Sequence, residues 1–297
     1  STLRYAVGDS PLGPWRSGGV LVDSRAPLLN QNGTELQPTY AGHNTHGSIE
    51  LINDQWYAFY HRPPRGFGFA LQPIVAPVMI EWDEKPVSEG GMVRITGYDP
   101  YAEDYKWSAK DSQGREYNGA EVTSEGFHIY GLDPYQYYSA GYACYLSDPG
   151  IQQDSWDIWD NHMPIEKVQN GHIIGYKYFG FGGLKKNAKG LKAFKGTKKR
   201  NNTAFNLFLT PKTTDSFKVN VWLDGPWDND TWKGTKIGEV MIPANAKQET
   251  TQYTIDVSRF VDHLDKKHAI FLVAEGKEST ELFDLIGLGF SKKKKKL

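Results

Sequence analysis

The stretch GHNTHGSIELINDQWYAFYHR, residues 42–62, decides how the rest of the chain is read. Two histidines, His43 and His46, precede a run in which apolar residues fall on every second position. Ile49 and Leu51 keep one parity before the segment INDQ, and Trp56, Ala58 and Tyr60 keep one parity after it. A period of two on both sides of a turn predicts a β-hairpin. Two imidazoles three residues apart in a loop suit a metal, a sugar site or a hydrogen-bonded turn. Spacing alone does not choose among these.

The same punctuation extends outward. LRYAVG is followed by the turn DSPLGPW and then by GGVLVD, and further strands are expected at QPIVAPVMIEW, GFHIYGL and SAGYACYL. The two prolines in QPIVAPVMIEW predict an edge or bulged strand, because proline offers no N–H to a ladder. Helical periodicity is almost absent up to about residue 170. Beyond it, AFNLFLT, SFKVNVWL, KIGEVMIP, TQYTID, HAIFLVAE and LFDLIGLGF are short strands at turn-limited spacing, which indicates a β-sandwich of the jelly-roll kind. One helix is expected in DVSRFVDHLDKK, where Val257, Phe260, Val261 and Leu264 have i, i+3, i+4, i+7 spacing. The whole is therefore read as all-β, with one unit over 1–170, a sandwich over 171–291 and a solvated basic tail over 292–297.

Composition narrows the function. With 34 Lys+Arg against 35 Asp+Glu there is no basic field for nucleic acid and no acidic excess for a basic partner. Aromatic residues make up 13% of the chain, including 9 Trp and 17 Tyr, a content that suits β-structure and also the stacking of sugars. The single cysteine, Cys144, lies in the apolar run SAGYACYL and reads as a buried inert thiol. No apolar run approaches membrane-spanning length, and STLRYAVGDSPLGPW lacks the apolar core and basic start of a signal peptide.

Several of these segments together resemble glycoside hydrolase family 43, whose members are five-bladed β-propellers. GHNTHGSIELINDQWYAFYHR is similar to the fifth-blade motif, YAVGDSPLGPW to the stretch after the general-acid blade, EVTSEGF with YSAGYACYL to the closing segment, and VQNGHIIGYKYFGFGG to the passage into an accessory domain. The last third resembles a family 6-type carbohydrate-binding module. The resemblance implies hydrolysis of xylan- and arabinan-type plant polysaccharides with inversion. In that chemistry an acid and a base face each other roughly 6.5–9.5 Å apart, and a third carboxylate tunes the acid. In the family those residues lie on blades before the SPLGP stretch, so none of the catalytic set is expected in this chain. A missing N-terminal half is implied as partner, and an extracellular or periplasmic location as setting. Asp99, Asp133 and Asp148 each precede proline and are read as turn residues. Glu121 belongs to the closing segment and is not assigned as an acid.

The resemblance also assigns binding residues. His46 matches the propeller-axis histidine that holds calcium mostly through water, since calcium prefers oxygen donors to imidazole. His43 is either a rim residue or a loop packer, and His61 ends its strand in a structural bond. Where the family carries an Arg-Gln pair reaching the sugar, this chain has Leu71 and Gln72. Either Arg65 or Arg62 substitutes, or the subsite is lost, or the register is displaced by a residue or two. Trp227 and Trp232 in DGPWDNDTWKG either stack on pyranose faces or cap the sandwich edge. Asp284 in LFDLIGLGF stands where such modules place a structural calcium ligand. Besides an enzyme portion, two other readings stand: a non-catalytic carbohydrate-binding protein, and a structural fragment that pairs with another chain through open sheet edges.

Overall fold

The computed structural model describes residues 2–37, 45–62, 71–99, 106–110, 114, 116–147, 163–181, 203–263 and 267–292. Among these, regular structure is antiparallel β-sheet interrupted by short 3₁₀ turns. His43, Arg65, Asp148 and residues 293–297 of the basic tail lie outside the described residues.

The opening stretch forms the expected hairpin. Strands Gly47–Ile52 and Gln55–Arg62 pair with Ile49 opposite Ala58 and Leu51 opposite Trp56. Asn53 and Asp54 between them both have positive φ, at 51° and 63°, the geometry of a two-residue turn whose twist matches its strands. The hairpin continues through Gln72–Trp82, Val93–Tyr98 and Lys106–Trp107 as a sheet in sequential order. Such a meander is the unit from which propeller blades are built. A separate bulged hairpin, Thr2–Gly8 with Trp15–Asp23, lies beside it. Tyr5 of that hairpin donates its hydroxyl to the Val93 carbonyl and accepts the Ile95 amide, both at 3.1 Å.

The proline-bearing strand is an edge over only half its length. Gln72–Trp82 pairs with Gln55–Arg62 through residues 72–78, and with Val93–Tyr98 only from Val78 onward. Pro73, Val75 and Pro77 share the parity that faces away from the hairpin. Of these positions, only Val75 has an amide to satisfy, and it donates to Gly126 O at 3.0 Å.

The second unit is a sandwich of two five-stranded sheets. One is ordered Tyr145–Leu146, Ile173–Gly180, Lys267–Glu275, Phe217–Leu223, Thr235–Ile242. The other runs Tyr138–Ser139, Phe283–Lys292, Thr203–Pro211, Thr251–Asp256, with Ile165–Val168 also paired to Phe283–Lys292. Alternation sends Phe205, Leu207 and Leu209 of one sheet and Val219, Val221, Ile270 and Leu272 of the other inward, where they are fully buried. Phe217 stacks on Phe283 across this core with ring centroids 5.5 Å apart. Each such aliphatic burial stabilises by roughly 1.5–3 kcal/mol.

Four expectations are corrected. The sandwich does not start at 171: Tyr138–Ser139, Tyr145–Leu146 and Ile165–Val168 already belong to its sheets. SAGYACYL is not one strand but a crossing. It leaves one sheet at Ser139, turns through a 3₁₀ segment at Ala140–Tyr142, and enters the other sheet at Tyr145. GFHIYGL holds turns, with His128 N bonded to Glu125 O and Gly131 N to His128 O, and Leu132 alone bridges to Phe179. The expected helix is a 3₁₀ turn at Ser258–His263, started by Asp256, whose carboxylate accepts the Ser258 amide at 2.9 Å. Local side-chain capping wins there over an apolar spacing that two turns of helix would have needed.

Candidate functional site

The segment 116–132 is what brings the two units together. It threads beside the first hairpin, where Ala120 N donates to Leu21 O at 2.6 Å. It is pinned to the meander by the buried Tyr60 hydroxyl, which donates to Glu121 O at 2.7 Å. It then docks on the sandwich strand Ile173–Gly180, where Lys177 N donates to Ser124 Oγ at 3.2 Å and Leu132 N to Tyr178 O at 2.9 Å. Glu121 thereby faces the sandwich from a rigid backbone.

At that junction a carboxylate is gripped by a lysine and a phenol. Lys177 Nζ lies 2.9 Å from Glu121 Oε1, and the Tyr178 hydroxyl is 2.9 Å from both carboxylate oxygens. In a regular strand Lys177 and Tyr178 would point to opposite faces. The pairing of their strand is irregular between Tyr176 and Phe179, and the break lets neighbours serve one partner. Burial alone would lower the Lys177 pKa, but the charge of Glu121 outweighs it with help from Glu125, and the pKa is raised. A second buried pair lies alongside, with Lys267 Nζ 2.7 Å from Glu125 Oε1 and 5.0 Å from the centre of the Tyr178 ring. Burial raises the Glu125 pKa against the opposing pull of Lys267, and it depresses that of Lys267, whose net shift is nonetheless upward because Glu125 and Asp99 favour its charge.

These groups open onto a cavity of about 320 Å³ between the units, within the size range of small-molecule sites. Trp107, Leu28 and Leu29 form one wall, Trp232 and Phe271 the other, with Glu121, Lys177, Tyr178 and Asp224 as its polar groups. Trp232 is fixed by its indole N–H, which donates to Asn30 O at 3.1 Å across the seam. Trp227 meets it edge-on at 5.6 Å. Asn229 ties their loop to the first unit through Gln31 O at 3.0 Å. Asp224 accepts from the Ala269 amide at 3.0 Å and pairs with His268 Nδ1 at 2.8 Å. Both carboxylates are thus oriented as acceptors by fixed donors. That suits them to receive ligand hydroxyls, whereas a general acid must present a proton.

The sequence-derived candidates divide accordingly. Trp232 lines the cavity, while Trp227 is its brace. Gln72 sits at another point of the seam, its Nε2 3.8 Å from Met163 Sδ. Leu71 is exposed. Arg62 does not replace the missing sugar-binding arginine: it is buried, donating to Ala143 O at 2.6 Å and Tyr142 O at 3.1 Å, and so latches the crossing segment to the meander. His46 is exposed at the start of its strand, with its ring 5.5 Å from that of His61. Asp284 is buried, accepts the Lys167 amide at 3.1 Å and pairs with Lys212 Nζ at 2.8 Å. An ammonium against the carboxylate does not fit a calcium site, which requires several oxygen donors. Among the described residues no three His, Cys, Asp or Glu side chains come together as metal ligands.

Glu121, Lys177, Tyr178 and Trp107 were not singled out as a site by sequence. One signal was available: Lys177 interrupts the apolar and aromatic run HIIGYKYFGFG, and a buried lysine requires a carboxylate.

No protein-family model matches the chain. Over 78 residues it is 36% identical to a xylosidase/arabinosidase of Thermoclostridium stercorarium, a match covering 26% of this chain and 16% of that protein. Among solved structures it is similar to a family 43 arabinoxylan arabinofuranohydrolase from Bacillus subtilis in complex with cellotetraose. That match has a TM-score of 0.41 and 16% identity, over 98% of this chain and 48% of that one. It is also similar to the module CsCBM6-3 from Clostridium stercorarium in complex with cellobiose, with a TM-score of 0.38 and 16% identity over 55% of this chain and 97% of that one.

Proposed function

We propose that this chain, which resembles the C-terminal portion of family 43 glycoside hydrolases joined to a family 6-type module, serves the hydrolysis of xylan- and arabinan-type polysaccharides. The observation that carries this reading is the 36% identity over 78 residues to a xylosidase/arabinosidase. In this reading the opposed acid and base of an inverting mechanism are supplied by polypeptide outside these 297 residues, and the protein works outside the cytoplasm. The fixed acceptor roles of Glu121 and Asp224 support it, since neither is held as a proton donor. Calcium, if the protein uses it, belongs with His46 through water, in keeping with the preference of that ion for oxygen.

The test is turnover. The chain is incubated with aryl β-xylosides and aryl α-arabinofuranosides, and no release of the aryl group is expected. Hydrolysis that disappears in His46→Ala would place the catalytic acids within these residues and overturn the proposal.

A second reading, a non-catalytic carbohydrate-binding protein, is favoured by the aromatic-walled cavity with its carboxylates and ammonium group. Calorimetric titration with xylan and arabinan oligosaccharides tests it. Binding lost in a Trp227→Ala/Trp232→Ala double variant supports it, and the absence of heat with every plant glycan counts against it.

A further inference from the structure

We propose that the seam between the meander and the sandwich is a binding groove for a neutral linear oligosaccharide, with one terminal sugar in the cavity at Glu121 and the following sugars in the open cleft beyond Ser108. This rests on the carbohydrate reading above and assigns it a surface. The cavity is not isolated. A second, more open cleft of about 590 Å³ adjoins it and shares Leu29, Ser108 and Ala109 with it, so the two form one path. Along that path the character changes. The inner end has the two indoles of Trp107 and Trp232, and the outer end has Thr34, Thr96, Asn118 and Lys110. An apolar end with a few convergent acceptors suits a sugar ring, whose C–H face meets an indole while its hydroxyls donate sideways. The hydroxyl- and amide-lined outer end suits sugars that remain partly hydrated.

Charge disfavours an anionic ligand. The ammonium groups on the path are both matched by a carboxylate: Lys177 with Glu121 at 2.9 Å and Lys110 with Glu116 at 3.3 Å. Asp224 is hydrogen-bonded with His268 Nδ1 at 2.8 Å. Glu81 adds a further carboxylate to the outer cleft, so among the described residues the path carries no cationic surplus that would draw an anion. The two walls come from different units, with Leu29, Trp107 and Glu121 on one side and Lys177, Tyr178 and Trp232 on the other. A ligand seated here therefore touches both units at once.

The experiment is isothermal titration of the full chain with xylotetraose, arabinotetraose and cellotetraose. The informative variant is Ser108→Trp, because Ser108 is exposed and stands where the two parts of the path meet. Binding of at least one tetrasaccharide is expected, weakened tenfold or more in Ser108→Trp. Trp82→Ala, which alters an indole 69% exposed elsewhere, should leave it unchanged. Should Ser108→Trp lower the unfolding midpoint, Lys110→Trp at the outer end gives the same readout. Wild-type affinity in the folded blocking variant overturns the groove while the carbohydrate reading stands. Absence of binding to any of the three overturns both.

Discussion

Replacing Lys177 by methionine isolates the most consequential contact of the seam. The lysine and Glu121 side chains are only 8% and 10% exposed, and their charged atoms are 2.9 Å apart. Methionine keeps most of the volume and removes the ammonium, so the change leaves a buried carboxylate without its counter-charge. Breaking a buried pair in this way costs about 3–5 kcal/mol. Tyr178 still donates to the carboxylate at 2.9 Å, which places the loss near the lower end, about 3 kcal/mol. Against a total stability of about 5–15 kcal/mol that is a large share. The assay is urea unfolding followed by fluorescence of the chain's 9 tryptophans. The double variant Glu121→Gln/Lys177→Met removes both charges, and it should recover at least about 2 kcal/mol relative to the sum of the single changes. A loss under about 1 kcal/mol in Lys177→Met, or a double variant whose cost equals that sum, would refute the view that an ion pair organises the seam.

Two further outcomes follow from the same packing. Lys177 and Lys267 have raised pKa values, so their contribution is complete at neutral pH and is lost as pH rises past the ordinary lysine value through the raised one. Burial also pushes Tyr145 up to about 12 and raises Tyr60, so the folded state resists their ionisation too, and the melting temperature should fall steeply above about pH 10. A flat melting temperature between neutral pH and the alkaline limit would contradict this. Gly131 has φ of +90° and its absent Cβ would lie 2.3 Å from Gly180 N. Gly131→Ala should therefore destabilise by about 1–3 kcal/mol from overpacking, with about 1–2 kcal/mol more from the left-handed backbone, measured by thermal unfolding. Unchanged unfolding would show that the junction yields easily.

The parts of the fold legible in the sequence were those governed by a local period. Ile49, Leu51, Trp56, Ala58 and Tyr60 specify a hairpin because side chains in a strand alternate faces. The alternation in SFKVNVWL marks a sandwich strand for the same reason. What escaped depends on partners distant in the chain. Nothing local tells Tyr138–Ser139 and Tyr145–Leu146 that they belong to opposite sheets, because their partners are Gly287, Leu288, Ile174 and Gly175. Arg62 read as a possible substitute for the family arginine absent at Leu71 because it lies nearby in sequence, but the carbonyls it satisfies lie some eighty residues on. The site followed the same rule. Trp232 was legible as an unusual indole in a polar turn, whereas Glu121 and Lys177 acquire meaning only through each other, 56 positions apart.

The crossing at Ser139–Tyr145 also governs how this protein can be dissected. A truncation placed at residue 170, where composition suggests a border, would strip three strands from the sandwich and expose the ladders of Phe283–Lys292 and Ile173–Gly180 as raw edges. Unpaired ladders recruit other chains. An expression plasmid for the lone module should open upstream of Tyr138 to yield soluble material, and one opening at 171 should deliver inclusion bodies.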